Sequence, residues 1–176
     1  MESTPLGKII ELDGNYGEAG GALVRVALAL SALTGKEFKV TNIRAGRSDS
    51  GLKAQHLTAI KALKELCHAE TNNIDLGSTE LHFKPGKIKK GIYDLDIGTA
   101  GSITLLLQAL ILPSLFAPGK VTFNITGGTC GKWQASVDYL QNILLPYLNR
   151  FVEKIEIKIL KRGYYPKGQG QIKLEI

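Results

Sequence analysis

Four short stretches of this 176-residue chain combine residue types able to hold a phosphate. The first is Gly14-Asn15-Tyr16-Gly17-Glu18-Ala19-Gly20-Gly21, a glycine-rich turn ahead of an apolar segment. Glycines let a backbone approach a ligand closely, and amides at a helix start attract anions. Glu18 adds a carboxylate that could hold a divalent cation bridging phosphates. Pattern alone favours a tight strand-to-helix turn with Glu18 as a favourable charge at the helix N-terminus. Neither GxGxxG nor the longer phosphate-loop pattern ending in Lys-Ser/Thr occurs; Gly127 to Lys132 (GGTCGK) falls one residue short of the second.

Arg44-Ala45-Gly46-Arg47, followed by Lys53, Gln55 and His56, is the second stretch. Two arginines three residues apart on a small-residue loop can fork around a phosphate or carboxylate; they can also be solvated loop charge. The third is Gly98-Thr99-Ala100-Gly101-Ser102 with Gln108 further along. It could offer amides to an anion, but the apolar segment behind it favours close strand-to-helix packing. The fourth, Arg162 to Gly170 (RGYYPKGQG), sets paired tyrosines among cations. Such a loop can stack on bases while its cations meet phosphates, or it can be a long hairpin turn and nothing more.

Other chemistries lack support. The histidines, 56, 68 and 82, have poor metal-ligand spacing, and no Ser/His/Asp order or nucleophile elbow is visible. Cys67 and Cys130 form no CxxC pattern, which argues against a disulfide framework or zinc and fits a reducing cytoplasm. The opening MESTPLGK has no apolar leader core, and the apolar run Ile103 to Phe116 is too short to span a membrane. Lys and Arg total 22 against 16 Asp and Glu, a net +6 that favours polyanion partners only weakly.

The elements that must position these residues follow from periodicity. Strands are expected at 8–12, 36–43, 72–76, 79–84, 93–97, 120–126, 153–160 and 169–175. Helices are expected at 20–34, from Leu52 through the LKAQHLTAIKALKELCHA segment, at 102–116 and at 136–150. In the second helix Leu52, Leu57, Ile60, Leu63, Leu66 and Cys67 share one face. Both halves read strand, helix, strand, helix, strand, strand, with each buried helix entered through a glycine-rich turn. The expected architecture is therefore α/β: two tandem βαβαββ units, residues 1–90 and 91–176, with helices packed on mixed sheets.

Taken together, DGNYGEAGGALVRVALALSALTG, NIRAGR, GLKAQHLTAIKAL, LGSTELHFKPG, DIGTAGSITLLLQ, GGT and RGYYPKGQGQIKLE resemble RNA 3'-terminal phosphate cyclases, in the same order. The resemblance implies a fold shared with enolpyruvyl transferases. It also implies ATP-dependent conversion of an RNA 3'-phosphate to a 2',3'-cyclic phosphate through a histidine adenylate, with Mg or Mn. By position, Glu18 matches the metal-binding acid. Arg25, Arg44, Arg47 and Gln55 match polar residues around the nucleotide and RNA phosphates, and Gln108 a nucleotide-pocket position. His56 matches an active-site-region histidine other than the nucleophile.

Family members are roughly twice as long, with a third repeat and a small inserted domain, and the adenylated histidine lies in that further part. The resemblance thus implies the N-terminal portion of a cyclase, inactive by itself. An apolar face left open would be covered by a second copy or a separate C-terminal chain. Two departures stand out: Ala22 replaces a polar residue, and Cys130 to Ser136 (CGKWQAS) lacks the family's prolines beside the adenosine site. They motivate an alternative, a non-catalytic cyclase-like RNA-binding protein of ribosome assembly.

Overall fold

The computed structural model describes residues 9–176. Residues 1–8, with Lys8 of the first expected strand and the MESTPLGK opening, lie outside the described residues. The first half runs β1 (Ile10–Asp13), α1 (Ala22–Thr34), β2 (Phe38–Thr41), α2 (Ala54–Cys67), β3 (Glu70–Thr71) and β4 (Leu81–Lys84). Its sheet has the order β1-β2-β4-β3, with β1 and β2 parallel and the other neighbours antiparallel. The second half runs β5 (Gly91–Asp96), α3 (Ile103–Ser114), β6 (Val121–Gly127), α4 (Val137–Tyr139), a π-helical stretch (Leu140–Leu144), α5 (Leu145–Leu148), β7 (Glu156–Lys161) and β8 (Gly170–Glu175). Its sheet, β5-β6-β8-β7, has the same sequence of parallel and antiparallel pairings as the first.

Local chemistry sets the boundaries. Ala and Leu give α1 its propensity, and Gly35 ends it in the left-handed conformation, φ 71°, its N–H donating to the Ser31 carbonyl at 2.9 Å. Ser102 starts α3 by accepting from the Leu105 N–H at 3.1 Å. Inward-facing aromatics weld neighbouring strands: Phe38 opposes Phe83 with ring centroids 5.8 Å apart, and Tyr93 opposes Phe123 at 5.5 Å. Helix α1 packs on β2 and β4, α3 packs on β6, and α2 touches β5. The three helices also pack on one another, forming a layer between the sheets with one continuous core.

Three expectations need correction. The strand placed at 72–76 is irregular chain that enters a turn at Leu76 and Gly77, and the residues that pair are Glu70 and Thr71. Asn72 spends its side-chain oxygen on the His82 N–H (2.8 Å), and the Asp75 N–H donates to Ser78 Oγ (2.8 Å), so this polar segment folds on itself. The helices at 20–34 and from Leu52 begin at Ala22 and Ala54, with Leu52 fully buried ahead of the helix. The helix at 136–150 contains the π-helical stretch and ends at Leu148. Its outward side exposes Tyr139, Ile143, Leu144 and Tyr147, with Phe151 exposed just beyond. Among the described residues, no helix is long and apolar enough to cross a membrane.

Candidate functional site

The glycine-rich turn and the arginine loop lie side by side at the carboxyl ends of parallel β1 and β2, where α/β sheets commonly bind ligands. The Gly14 N–H donates to the Thr41 carbonyl at 2.7 Å, and a Cβ at Gly14 would stand 2.8 Å from the Ile43 Cα. Gly14 therefore admits only glycine. Gly46 is less confined, since a Cβ there would meet the side-chain atoms Ala19 Cβ and Asn15 Oδ1 at 3.1 Å. Within the loop Arg44 takes a left-handed backbone, φ 57°, and its carbonyl accepts from the Arg47 N–H at 3.0 Å.

Arg25, one turn into α1, is buried, and its Nε donates to Gln108 Oε1 at 2.9 Å. Gln55, in the first turn of α2, accepts the Ser102 N–H on Oε1 at 3.2 Å. The two glutamines thus link the halves across the helical layer. Arg44 Nη2 donates to the Asp49 carbonyl at 3.1 Å. Lys53 is held by the Asp49 carboxylate and, at 2.8 Å, by the Ser50 carbonyl. The partnered Lys53 ammonium keeps the Asp49 carboxyl below its ordinary range.

His56 is the most enclosed member, with 1% of its surface exposed. Its Nδ1 accepts the Lys53 backbone N–H at 3.0 Å. Burial, reinforced by the positive charges of Arg25, Arg44 and Lys53, lowers its pKa to about 4. At neutral pH the ring is therefore uncharged with its proton on Nε2, which faces Gly21: a Cβ on Gly21 would collide with that nitrogen. Burial and the nearby Arg44 also lower the Arg25 pKa.

Two buried donors here, His56 Nε2 and Arg44 Nε, have no acceptor among the described residues. Leaving such a group unsatisfied costs about 1–3 kcal/mol each, so both donors call for an acceptor such as water or an anion. Glu18 stands at the rim, its side chain 96% exposed and 3.6 Å from Arg47. No cluster of three metal-ligating side chains occurs among the described residues. A single open carboxylate suits Mg or Mn held mainly by a ligand's own phosphates rather than by a protein cage.

Of the six residues singled out from sequence, Arg25 bonds Gln108, Gln55 bonds the Ser102 amide, Arg44 bonds the Asp49 carbonyl and Arg47 approaches Glu18. Their spacing did not show that Asp49 and the Ser102 amide hold them in place. The Gly98–Ser102 turn takes the packing role. Its Gly98, Gly101 and Ser102 amides donate to Asp96 Oδ1, Thr99 Oγ1 and Gln55 Oε1 at 2.7, 3.1 and 3.2 Å. A Cβ on Gly101 would lie 2.7 Å from Ile97 Cγ2. In the fourth stretch Arg162 forks onto Asp138 at 2.6 and 2.7 Å, so it is spent on structure.

A family model described as RNA 3'-terminal phosphate cyclase matches residues 16–176. Among curated relatives, the RNA 3'-terminal phosphate cyclase of Methanopyrus kandleri is 49% identical over 165 residues, 94% of this chain and 47% of the relative. That of Pyrococcus furiosus is 51% identical over 162 residues, 92% of this chain and 47% of the relative. The Nitrosospira multiformis protein of the same name is 46% identical over 166 residues, 94% and 47% of the two chains. The chain spans about half the length of the curated relatives it matches.

Proposed function

Because the chain belongs to the RNA 3'-terminal phosphate cyclase family, we propose that this cluster of side chains is the phosphate-holding part of a cyclase that converts RNA 3'-phosphates to 2',3'-cyclic phosphates. The observation that carries this is the pair of buried, unsatisfied donors on Arg44 and His56 beside Arg25. Arg25 and Arg44 would hold phosphate oxygens, and the neutral His56 Nε2–H would donate a further bond without adding charge. Arg47 and Glu18 would act at the open rim, Glu18 holding Mg or Mn together with the phosphates. Gln55 and Gln108 orient their neighbours across the helical layer. ATP would supply the adenylyl group that activates the RNA phosphate.

The family's covalent step needs a histidine nucleophile. His56 is enclosed and its Nδ1 is engaged, His82 bonds Glu37 at 2.5 Å, and His68 caps α2 in a left-handed conformation. In this reading the nucleophile comes from outside these residues, in a longer form of the protein or on a separate C-terminal chain. The matching strand orders of the two sheets support residues 1–90 and 91–176 as two βαβαββ units. The exposed apolar side of α4 and α5 is a surface for a second copy or that partner. Two unpaired cysteines accord with a cytoplasmic location.

Calorimetric titration with ATP and with 3'-phosphorylated RNA tests the pocket. The Arg44→Ala and Arg47→Ala variants should each bind tenfold or more weakly, since a hydrogen bond to a charged group contributes about 1.5–3 kcal/mol. Unchanged affinity for both ligands would refute the assignment. The altered 130–136 loop motivates the non-catalytic alternative. Radiolabelled ATP, given to this chain together with a candidate C-terminal chain, separates the two. A protein adenylate supports the enzyme, and RNA binding with no ATP-dependent product supports the binding protein.

A further inference from the structure

Resting on that phosphate-site reading, we propose that Lys53 is a positioning residue, which grips Asp49 and Ser50 and so holds the loop that presents Arg44 to the phosphate. Backbone bonds pin this loop where it leaves and where it returns. The Ile43 N–H donates to the Thr79 carbonyl at 2.9 Å, and the Gly51 N–H to the Ile43 carbonyl at 2.8 Å. Between these points residues 45–50 are all exposed, and none has an apolar side chain larger than alanine. Burial in the core therefore does not fix the stretch, and polar contacts must. Its first half is closed by the Arg47 N–H on the Arg44 carbonyl. Its second half is held by Arg44 Nη2 on the Asp49 carbonyl at 3.1 Å and by Lys53. The Lys53 ammonium pairs with the Asp49 carboxylate and donates to the Ser50 carbonyl at 2.8 Å.

A lysine is a poor local choice here. Lys53 occupies the N-cap of α2 with an extended backbone, φ −107° and ψ 166°, where Ser, Thr, Asp or Asn serves best. An ammonium has no acceptor for the helix N–H groups, and its charge opposes the helix dipole. Arg25 and Arg44 add like charge, since both act on His56 together with Lys53. A residue that goes against its local preferences has its reason in another contact. Two of the three ammonium donors are spent on Asp49 and Ser50. The Lys53 side chain is 24% exposed against 80% for Asp49, so the lysine is the anchor and the loop is what it anchors.

Lys53 thereby connects with both unpartnered donors of the site. Its backbone N–H occupies His56 Nδ1, and its side chain holds the loop whose Asp49 carbonyl occupies Arg44 Nη2. His56 Nε2 and Arg44 Nε are left open. Charge alone and the clamp give opposite signs for Asp49. Removing a carboxylate beside a phosphate site raises the positive potential and tightens anion binding. Removing the clamp frees Arg44 and weakens it.

Calorimetric titration of Asp49→Ala and Lys53→Ser with ATP and with 3'-phosphorylated RNA reads this sign. Asp49 is exposed and serine is a favoured N-cap, so the fold tolerates both changes. Each variant should bind about two- to thirtyfold more weakly, the range for residues that touch no ligand but bias one that does. The double variant should be no weaker than the weaker single one, because both changes break one contact. Tighter binding by Asp49→Ala would overturn the clamp and make Lys53 a direct phosphate ligand. Nitrogen NMR reads the clamp without any ligand. The Arg44 Nε–H signal, identified by its loss in Arg44→Ala, should be sharp in the parent and broadened in both variants; an unchanged signal would overturn the clamp. His56 should keep its proton on Nε2 in Lys53→Ser, since the backbone N–H at 53 remains. A changed tautomer would also overturn it, by routing the effect through the histidine. The Arg44→Ala variant separates the two proposals. If it binds ATP and RNA like the parent, the phosphate reading fails, while the Arg44 signal still decides the clamp.

Discussion

Replacing His56 by Gln offers the most quantitative test of the pocket's electrostatics. The folded-state pKa of His56 is lowered to about 4 by burial and by Arg25, Arg44 and Lys53, against about 6.5 in an unfolded chain. A depressed histidine pKa means that the unfolded state binds the proton more readily. The stability it contributes is complete above pH 6.5 and is lost as pH falls toward 4. Between pH 7 and 4.5 the difference integrates to about 2.5 kcal/mol. Gln retains an acceptor for the Lys53 N–H and a donor toward Gly21, but it does not titrate.

Urea denaturation at half-unit steps across that window should show the parent losing about 2.5 kcal/mol more than the His56→Gln variant. The carboxyls of Glu175 and Asp49 also have lowered pKa values, through Lys120 and Lys53 respectively, but they titrate below the window and are common to both proteins. Parallel stability curves would show that His56 is not enclosed among these cations. Saturating ATP should steepen neither curve above pH 6.5, where the neutral ring is already the donor.

Other outcomes follow from single contacts. Gly21→Ala has an ordinary backbone conformation, φ −73°, but its Cβ would collide with His56. It should cost about 1–3 kcal/mol by thermal melting and weaken ATP binding. Phe123→Ala empties a fully buried position between strands and should cost about 3–5 kcal/mol by chemical denaturation, with the helical layer loosened as well. Native thiol titration should label Cys130, which is exposed, and spare Cys67, whose thiol pKa is raised by burial; denaturant should release it.

Much of this site was legible because its parts are local. The glycine turn and the arginine loop have side chains too small, or too charged, for anything but a turn, and Leu63 and Leu66 mark the buried face of α2 by spacing alone. The pairing of Arg25 with Gln108 spans 83 positions, and that of Gln55 with Ser102 spans 47, so no local pattern could reveal them. The 72–76 segment misled because Ile74 and Leu76 alternate as strand residues do, while the Asn72 and Ser78 side chains captured backbone N–H groups instead. The unpaired donors of His56 and Arg44 became visible only once every neighbour had a place.

The order of strands within each sheet also has a consequence for a chain emerging from the ribosome. Every partner of the first sheet lies between residues 10 and 84, so that sheet can close while the second half is still unmade. Central strand β6 must wait for β8, which reaches Thr122 only at Glu175. Until then Arg25 and Gln55 face outward without Gln108 and Ser102, on a nascent domain already carrying its cations. The proposed phosphate site would be half-assembled during synthesis and completed only when α3 docks.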